Sequence, residues 1–220
     1  MNTSLFYRTW YSFWFYIVAL VMVLTCRMRV RGAGNLPRDG PAIVLANHTA
    51  FSDPGLMGLA LFRRPAYLAR DTLFKNRVLG WIFRSFGGVP IDRNFGKEGL
   101  RLVSKVLAAT RVLVVFPAGT RVPDGTLGEF KKGFLLLLRR GPKNTKVVLA
   151  GIAGAFDSWP KGRLLPRPVP TAVSLGQAMP SEYFTKMDPD EAVRQIQAGL
   201  LKQIALAEHL RGKRPKEPQQ

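Results

Sequence analysis

The chain has 220 residues, 47% of them hydrophobic, which excludes a disordered protein and leaves room for one ordinary domain with an appendage. Its 33 Lys and Arg residues against 14 Asp and Glu give a formal charge of +19, which predicts an anionic partner: nucleic acid, an acidic membrane surface or an acidic substrate. One cysteine and two histidines are too few for a disulfide or a structural zinc site, so no metal and no cofactor is expected.

The N-terminal segment is apolar. Residues 9–26 contain no charged side chain and many aromatic ones, and Arg27, Arg29 and Arg31 follow. The run is at the lower length limit for a spanning helix, and the arginines after it would keep the rest of the chain cytoplasmic. We therefore expect a membrane anchor over residues 1–29, on the cytoplasmic face of the inner or plasma membrane, either spanning the bilayer or lying in its interface. The alternatives are a buried core helix and a signal peptide, which would need its basic cluster before the apolar run.

After this segment, short apolar runs alternate with stretches of helical periodicity. Strands are predicted at residues 43–46, 111–116, 147–150 and 171–175. Helices are predicted at residues 97–109 and 130–140 and from Asp188-Pro189, a capping residue followed by a first-turn proline. The alternation predicts a single α/β domain over residues 30–210, with a central, mostly parallel sheet flanked by helices. A basic, disordered tail is expected over residues 211–220.

A histidine and an aspartate follow the first of these strands. Five positions separate His48 from Asp53, so one tight turn can bring the carboxylate back to the imidazole. A carboxylate that holds the proton of one ring nitrogen leaves the other free to act as a general base toward a hydroxyl. The alternative is that Asp53 only caps a helix beginning at Pro54, which is a common role for aspartate.

A second loop follows the strand at residues 111–116. Residues 116–121 have the sequence Phe-Pro-Ala-Gly-Thr-Arg, in which Pro117 and Gly119 predict a tight turn. Such a turn would direct backbone N–H groups and the side chains of Thr120 and Arg121 to one point. The planar guanidinium of arginine suits a phosphate. An ordinary solvated turn is the alternative.

A third segment, residues 87–93, contains a short strand that would deliver Arg93 to another loop. Taken alone, Asp92 and Arg93 are better explained as a surface ion pair. The order of all three segments along the chain is more specific than any one of them.

Together these segments resemble the glycerophospholipid acyltransferase family, which includes the bacterial 1-acylglycerol-3-phosphate acyltransferase. His48 and Asp53 match its motif of histidine, four residues and aspartate. Residues 91–93 match its second motif and residues 116–121 its third. Residues 147–152 lie where its fourth, apolar motif falls, without the usual proline. The resemblance covers the span of one domain.

The resemblance implies that His48, oriented by Asp53, takes the proton of the acceptor's hydroxyl. The alkoxide would attack the thioester of acyl-CoA or acyl carrier protein, without an acyl-enzyme. The acceptor that the resemblance favours is 1-acylglycerol-3-phosphate, which would give phosphatidic acid. Its phosphate would be held by Arg93, Thr120 and Arg121. Both donors are acidic, so the charge of the chain would serve at the membrane and at the donor.

One position departs from the family pattern, which has glutamate where this chain has Ala118. Alanine cannot pair with Arg121. Three explanations stay open: a different acceptor, a slower enzyme with the same acceptor, or lost activity.

Two further interpretations compete with a phosphatidic acid-forming enzyme. One is an acyltransferase for another lipid acceptor. The other is a basic, membrane-binding protein without catalysis. A nucleic-acid partner is not expected, because the charge is accompanied by no recognisable motif and the apolar segment would be unexplained.

Overall fold

The computed structural model describes residues 10, 13, 17, 26–91, 97–109, 112–160, 162, 163 and 165–212. Within them, eight strands form one sheet: β1 (Arg29–Arg31), β2 (Ala42–Ala46), β3 (Pro65–Arg70), β4 (Gly88–Ile91), β5 (Val112–Val115), β6 (Lys146–Ala153), β7 (Ala172–Leu175) and β8 (Met179–Pro180). The described α-helices are α1 (Asp53–Ala60), α2 (Arg77–Ser85), α3 (Lys97–Ala108), α4 (Phe134–Arg140), α5 (Ala155–Ser158), α6 (Ser181–Thr185) and α7 (Pro189–Leu210). Short 3-10 helices lie at Ala33–Asn35 and Asp71–Phe74.

The sheet is mostly parallel, as the sequence predicted. Its strand order is β1-β7-β6-β2-β5-β3-β4, and β8 pairs with β6. Strands β2, β3, β4, β5 and β6 run in one direction, whereas β7 and β8 are antiparallel to β6. The predicted α/β domain with a mostly parallel central sheet is therefore confirmed. Strand β2 lies in the middle, between β5 and β6.

Both faces of the sheet are covered, which explains why the central strands are continuous apolar runs. All five residues of β2 are buried. Ile43 and Leu45 belong to an apolar cluster with residues of α3, α4 and α7. Val44, on the opposite face, clusters with Leu56 and Met57 of α1. The ends of β2 are thus held in a fixed position relative to its neighbours.

The longest helix, α7, packs closely against β6. As predicted, Asp188 caps it, because its carboxylate accepts hydrogen bonds from the backbone N–H groups of Asp190 and Glu191. A Cβ atom at Gly151 of β6 would overlap backbone atoms of Gln203 and Ile204. Glycine at this position therefore sets how near α7 approaches the sheet.

Most predicted elements are present, and one boundary is wrong. The helix predicted over residues 130–140 begins only at Phe134. The backbone N–H of Lys131 donates to the carbonyl of Pro117 at 3.0 Å, so the preceding residues are bonded to the turn after β5 instead of forming a helix. Strand β6 extends beyond the predicted residues 147–150, and the strand predicted at residues 111–116 is described as Val112–Val115.

The predicted anchor lies mostly outside the described residues. Among its described residues, the Trp10 ring is 4.9 Å from that of Trp81 in α2, Cys26 lies beside Ser158 at the end of α5, and Arg29 already belongs to β1 of the sheet. In the part of the chain that the structure describes, no helix is both long and apolar enough to cross a membrane. Of the predicted tail, only Arg211 and Gly212 are described.

Candidate active site

The candidate site lies at the carboxyl ends of adjacent parallel strands. Strand β2 ends at Ala46 and β5 at Val115, and the two strands pair directly, with Leu45 opposite Val115. Because the chain leaves both strands at the same edge, the loop carrying His48 and the turn beginning at Phe116 meet there. This is the edge at which open α/β sheets bind their ligands.

The structure brings the predicted pair together. The Nδ1 atom of His48 lies 2.8 Å from Oδ2 of Asp53, whose side chain is fully buried. The same oxygen accepts hydrogen bonds from the backbone N–H groups of Thr49 at 2.6 Å and Ala50 at 2.8 Å. Asp53 makes no side-chain cap to α1, which begins at this residue. Its carboxylate therefore closes the His48 loop, and the simple capping alternative is wrong.

These contacts fix the proton on the histidine ring. An oxygen that accepts from two backbone N–H groups has its lone pairs directed at donors, so Nδ1 of His48 must be the donor in the third contact. The neutral ring then carries no proton on Nε2, which is the nitrogen that can accept one. The His48 side chain is 17% exposed, so the ring is accessible at the surface of the site. The arrangement suits a general base.

Two residues that the sequence analysis did not assign to the site hold this loop in place. The ring of Phe116 stacks on that of His48, with centroids 4.2 Å apart and planes inclined by 20°. The buried Asn47 amide donates to the carbonyl of Ile152 in β6 at 2.9 Å and accepts from its N–H at 2.8 Å. Asn47 thus joins the end of β2 to β6. In the sequence, only its position between the buried strand and His48 indicated this role. A buried asparagine side chain needs hydrogen-bond partners, and backbone groups of a neighbouring strand can provide them.

The turn after β5 is anchored to the histidine loop. Gly119 has φ +69°, in the left-handed region that favours glycine, and its N–H donates to the carbonyl of Phe116 at 2.8 Å. The N–H of Val122 donates to the carbonyl of His48 at 3.0 Å. The predicted turn around Pro117 and Gly119 is therefore present, and it places the residues before Val122 beside His48.

Of the three predicted phosphate ligands, two are described. Thr120 is exposed on the turn, and the Arg121 guanidinium lies over the ring of Phe51, with Cζ 5.9 Å from the centroid. Phe51 follows His48 by three residues, so Arg121 is close to the catalytic candidate. Arg93 lies outside the described residues, and its position relative to the site stays a prediction.

Ala118 is buried beneath the loop that follows it. The Ala118 side chain is 7% exposed. A Cβ atom built at Gly128 would lie 3.6 Å from the Cβ of Ala118. Gly128 has φ +74°, so the loop returns over Ala118 through a backbone conformation that glycine adopts readily. A larger side chain at position 118 would have to displace this loop or turn toward the site. Among the described residues, no group of three His, Cys, Asp or Glu side chains could hold a metal ion.

Comparison with known proteins agrees with these motifs. Residues 27–151, more than half of the chain, match the family model described as Acyltransferase. The chain is 29% identical over 143 residues to the 1-acyl-sn-glycerol-3-phosphate acyltransferase LPAT1, chloroplastic, of Arabidopsis thaliana, covering 63% of this chain and 40% of that protein. It is 26% identical over 180 residues to the 1-acyl-sn-glycerol-3-phosphate acyltransferase of Pseudomonas aeruginosa, covering 80% of this chain and 67% of that protein. It thus spans less than half the length of the chloroplast relative.

The fold is also similar to that of a solved structure. The crystal structure of the 1-acyl-sn-glycerophosphate acyltransferase PlsC from Thermotoga maritima superposes with a TM-score of 0.68 at 24% identity. The match covers 87% of this chain and 81% of that one. At this identity the likeness is one of fold.

Proposed function

Since the chain belongs to the acyltransferase family, we propose that it transfers a fatty acyl chain to the free hydroxyl of a lysophospholipid. The acceptor we favour is 1-acylglycerol-3-phosphate, the substrate in the names of the chloroplast and Pseudomonas relatives, with phosphatidic acid as the product. The observation that carries the proposal is the buried Asp53 carboxylate bonded to His48 at the strand edge, beside the turn that bears Arg121.

In the proposed reaction His48 acts as the general base. Its Nε2 takes the proton of the acceptor hydroxyl as that oxygen attacks the carbonyl carbon of the acyl thioester. The new C–O bond forms, the C–S bond breaks, and the leaving thiolate takes the proton back from His48. The Asp53 carboxylate stabilises the imidazolium between these two transfers. No acyl-enzyme is needed, because the acceptor hydroxyl is itself the nucleophile.

We assign the acceptor's phosphate to the arginines of the second and third motifs. Arg121 lies next to the His48 loop, and Thr120 is exposed on the same turn. A phosphate held by these side chains and by Arg93 would keep the reacting hydroxyl near His48. Since the phosphate does not react, such contacts contribute mainly to acceptor binding.

The charge of the chain supports a proposed donor and a proposed location. Acyl-CoA and acyl carrier protein are both acidic, and either would be attracted by a chain with a formal charge of +19. The same charge favours the anionic, cytoplasmic leaflet of a membrane, where the lysophospholipid acceptor resides. We therefore place the protein on the cytoplasmic face of the inner or plasma membrane.

A direct assay tests the proposed activity. The purified full-length chain, offered lysophosphatidic acid together with acyl-CoAs of several lengths or acyl carrier protein, should form phosphatidic acid. A basic membrane-binding protein without catalysis would form none with any donor. Product formed only from a lysolipid that lacks a free phosphate would instead support the alternative of a different acceptor.

Substitution of Ala118 separates the two acyltransferase alternatives. In Ala118→Glu, the new carboxylate would lie in a buried position beneath the loop at Gly128, or turn toward Arg121. If lysophosphatidic acid is the natural acceptor, we expect a gain in acyl transfer to it, since a charge-assisted contact contributes about 1–3 kcal/mol. A carboxylate left unpaired would instead destabilise the loop. The measurement is kcat/KM for a panel of lysolipids, with the thermal midpoint of each protein recorded.

Ala118→Gln, which has nearly the same volume without the charge, is the matched control for bulk. A gain in the glutamate variant alone would assign the effect to charge. A changed acceptor preference would show that position 118 selects the acceptor. Equal rates of all three proteins with every acceptor would exclude this position from the acceptor site.

A further inference from the structure

The sequence of the loop between α5 and β7 combines apolar and basic residues. Residues 158–168 contain no acidic residue and combine three apolar with three basic ones: Trp159, Leu164, Leu165, Lys161, Arg163 and Arg167. Leu165 is 71% exposed, and Arg163 and Arg167 are exposed as well. A single exposed leucine is ordinary in a soluble protein, so it is the combination with the basic residues that carries information.

The loop is held in this shape by its own hydrogen bonds. The indole N–H of Trp159 donates to the carbonyl of Arg163 at 3.0 Å, and Nε of Arg163 donates to the carbonyl of Leu165 at 2.8 Å. At its base, the Ser158 hydroxyl donates to the carbonyl of Arg167 at 2.7 Å, and the Arg167 N–H donates to Ser158 at 2.9 Å. A prefolded loop loses little conformational freedom when it binds.

This loop is continuous with the candidate active site. The rings of Phe51 and Trp159 are in edge contact, with centroids 5.2 Å apart. The Phe51 side chain is 53% exposed. Phe51 belongs to the His48 loop, and the Arg121 guanidinium lies over its ring. The loop is therefore joined to the catalytic candidate through the contact of Trp159 with Phe51.

The carboxylate nearest the loop in the chain is neutralised. Asp157 accepts a hydrogen bond at 2.7 Å from Arg211, which also binds Glu208. Burial lowers the pKa of Arg211, but its hydrogen bonds to Glu208 and Asp157 outweigh this effect and raise the pKa above its ordinary value. Arg211 thus stays cationic, and Asp157 adds no uncompensated negative charge beside the loop.

The end of the apolar N-terminal sequence meets the base of the same loop. Sγ of Cys26 lies 3.9 Å from Oγ of Ser158, and the carbonyl of Cys26 accepts from the N–H of Thr171 at 2.9 Å. The predicted membrane segment therefore ends at this side of the domain. Any bilayer that holds that segment would lie close to residues 158–168.

We propose that the described side chains of this loop (Trp159, Arg163, Leu165 and Arg167), together with Phe51, form a docking surface for an anionic lipid bilayer. Leucine and tryptophan would enter the interface, while the arginines would bind anionic headgroups. The inference rests on the proposed function and deepens it, because it names the surface through which a lipid acceptor would reach His48. An acidic carrier protein would suit the charge, but the exposed leucine and the aromatic pair favour a bilayer.

A dye attached to the loop in the full-length chain tests the proposal locally. Leu165→Cys would carry an environment-sensitive dye, while the native Cys26, only 1% exposed, reacts little. Leu201→Cys on α7 is the matched control, since Leu201 is 56% exposed and lies outside the loop. With vesicles of phosphatidylcholine and phosphatidylglycerol that contain nitroxide-labelled lipid, we expect several-fold stronger quenching at position 165 than at position 201.

A charge variant provides a second measurement. Arg167→Gln should raise the apparent dissociation constant for these vesicles about fivefold, because each basic residue at an anionic surface contributes roughly that factor. Lys202→Gln on α7 also removes one positive charge, from an exposed site outside the loop. It should change the apparent dissociation constant less than Arg167→Gln does. Both variants are compared by titrating lipid. A change in affinity is then visible even if the predicted N-terminal anchor keeps the protein bound at high lipid concentration.

Three results would overturn the docking surface: equal quenching at positions 165 and 201, no quenching at 165 while the protein is bound to vesicles, or a response at 165 only to added acyl carrier protein. The last would assign the loop to a protein partner. Because binding is measured without substrate, it is independent of the proposed activity. Quenching at position 165 in a chain that transfers no acyl group would support the surface and reject the function.

Discussion

His48→Ala should lower kcat for acyl transfer by about 10²–10⁴-fold, the range expected when a general base is removed. The structure supports a large loss because no second histidine can take its place: the other one, His209, lies near the end of α7. The KM for the acceptor should change less, since the phosphate ligands are proposed to lie on other loops. Steady-state rates over a range of acceptor concentrations would separate these effects.

His209→Ala is the matched control, because it removes an exposed imidazole that lies in the last turn of α7, outside the His48 loop. It should leave the rate and the thermal midpoint near those of the unmodified chain. His48→Ala also removes the stack on Phe116, so the thermal midpoint and circular dichroism of that variant must be recorded. A correctly folded His48→Ala protein with most of its turnover would exclude His48 as the base.

The parts of the fold that follow from local pattern could be predicted from sequence. The apolar run at residues 43–46, bounded by Pro41 and Asn47, is typical of a buried strand, and Asp188 before Pro189 marks the start of a helix. The start of α4 could not be predicted, because the helical pattern continues through residues 130–133. The hydrogen bond from Lys131 to Pro117 joins the two ends of the connection between β5 and α4, and it depends on how that connection folds, which the helical pattern does not contain.

In the candidate site, too, contacts within one turn could be predicted from the sequence, whereas contacts between separate strands could not. The separation of His48 and Asp53 is short, so one turn determines their contact and the sequence contains it. The stacking of Phe116 on His48 and the bond of Asn47 to Ile152 depend on which strands are neighbours in the sheet. A single sequence predicts that strands exist but does not give their order, so these partners became visible only in the folded chain.

Asp53→Asn should be nearly as damaging to turnover as loss of the base itself, with a fall in kcat of up to about 10⁴-fold. In the serine protease triad, the corresponding change has this size because the histidine tautomer becomes wrong. Here an amide oxygen could still accept from Thr49 and Ala50, but it carries no charge to stabilise an imidazolium on His48. If the amide instead turned its NH₂ group toward Nδ1, that nitrogen would lose its proton, and Nε2 would no longer be the acceptor.

The variant should also be less stable, which gives a measurement independent of activity. Oδ1 of Asp53 is buried and has no hydrogen-bond partner among the described residues. An amide NH₂ at that position would be a buried donor without an acceptor in the described part of the chain, which costs about 1–3 kcal/mol in the free energy of unfolding. Asp124→Asn is the matched control, because Asp124 is exposed on the loop after Arg121 and its carboxylate accepts hydrogen bonds from the backbone N–H and the hydroxyl of Thr126.

The two measurements together decide the role of Asp53. A large fall in kcat, with the acceptor KM little changed and the variant still folded at the assay temperature, would establish that the carboxylate acts through His48. A loss of stability with an unchanged kcat would show instead that Asp53 only closes the loop through Thr49 and Ala50. In that case His48 could still be the base, but its tautomer would have to be set by the Phe116 stack and the backbone around it rather than by a carboxylate.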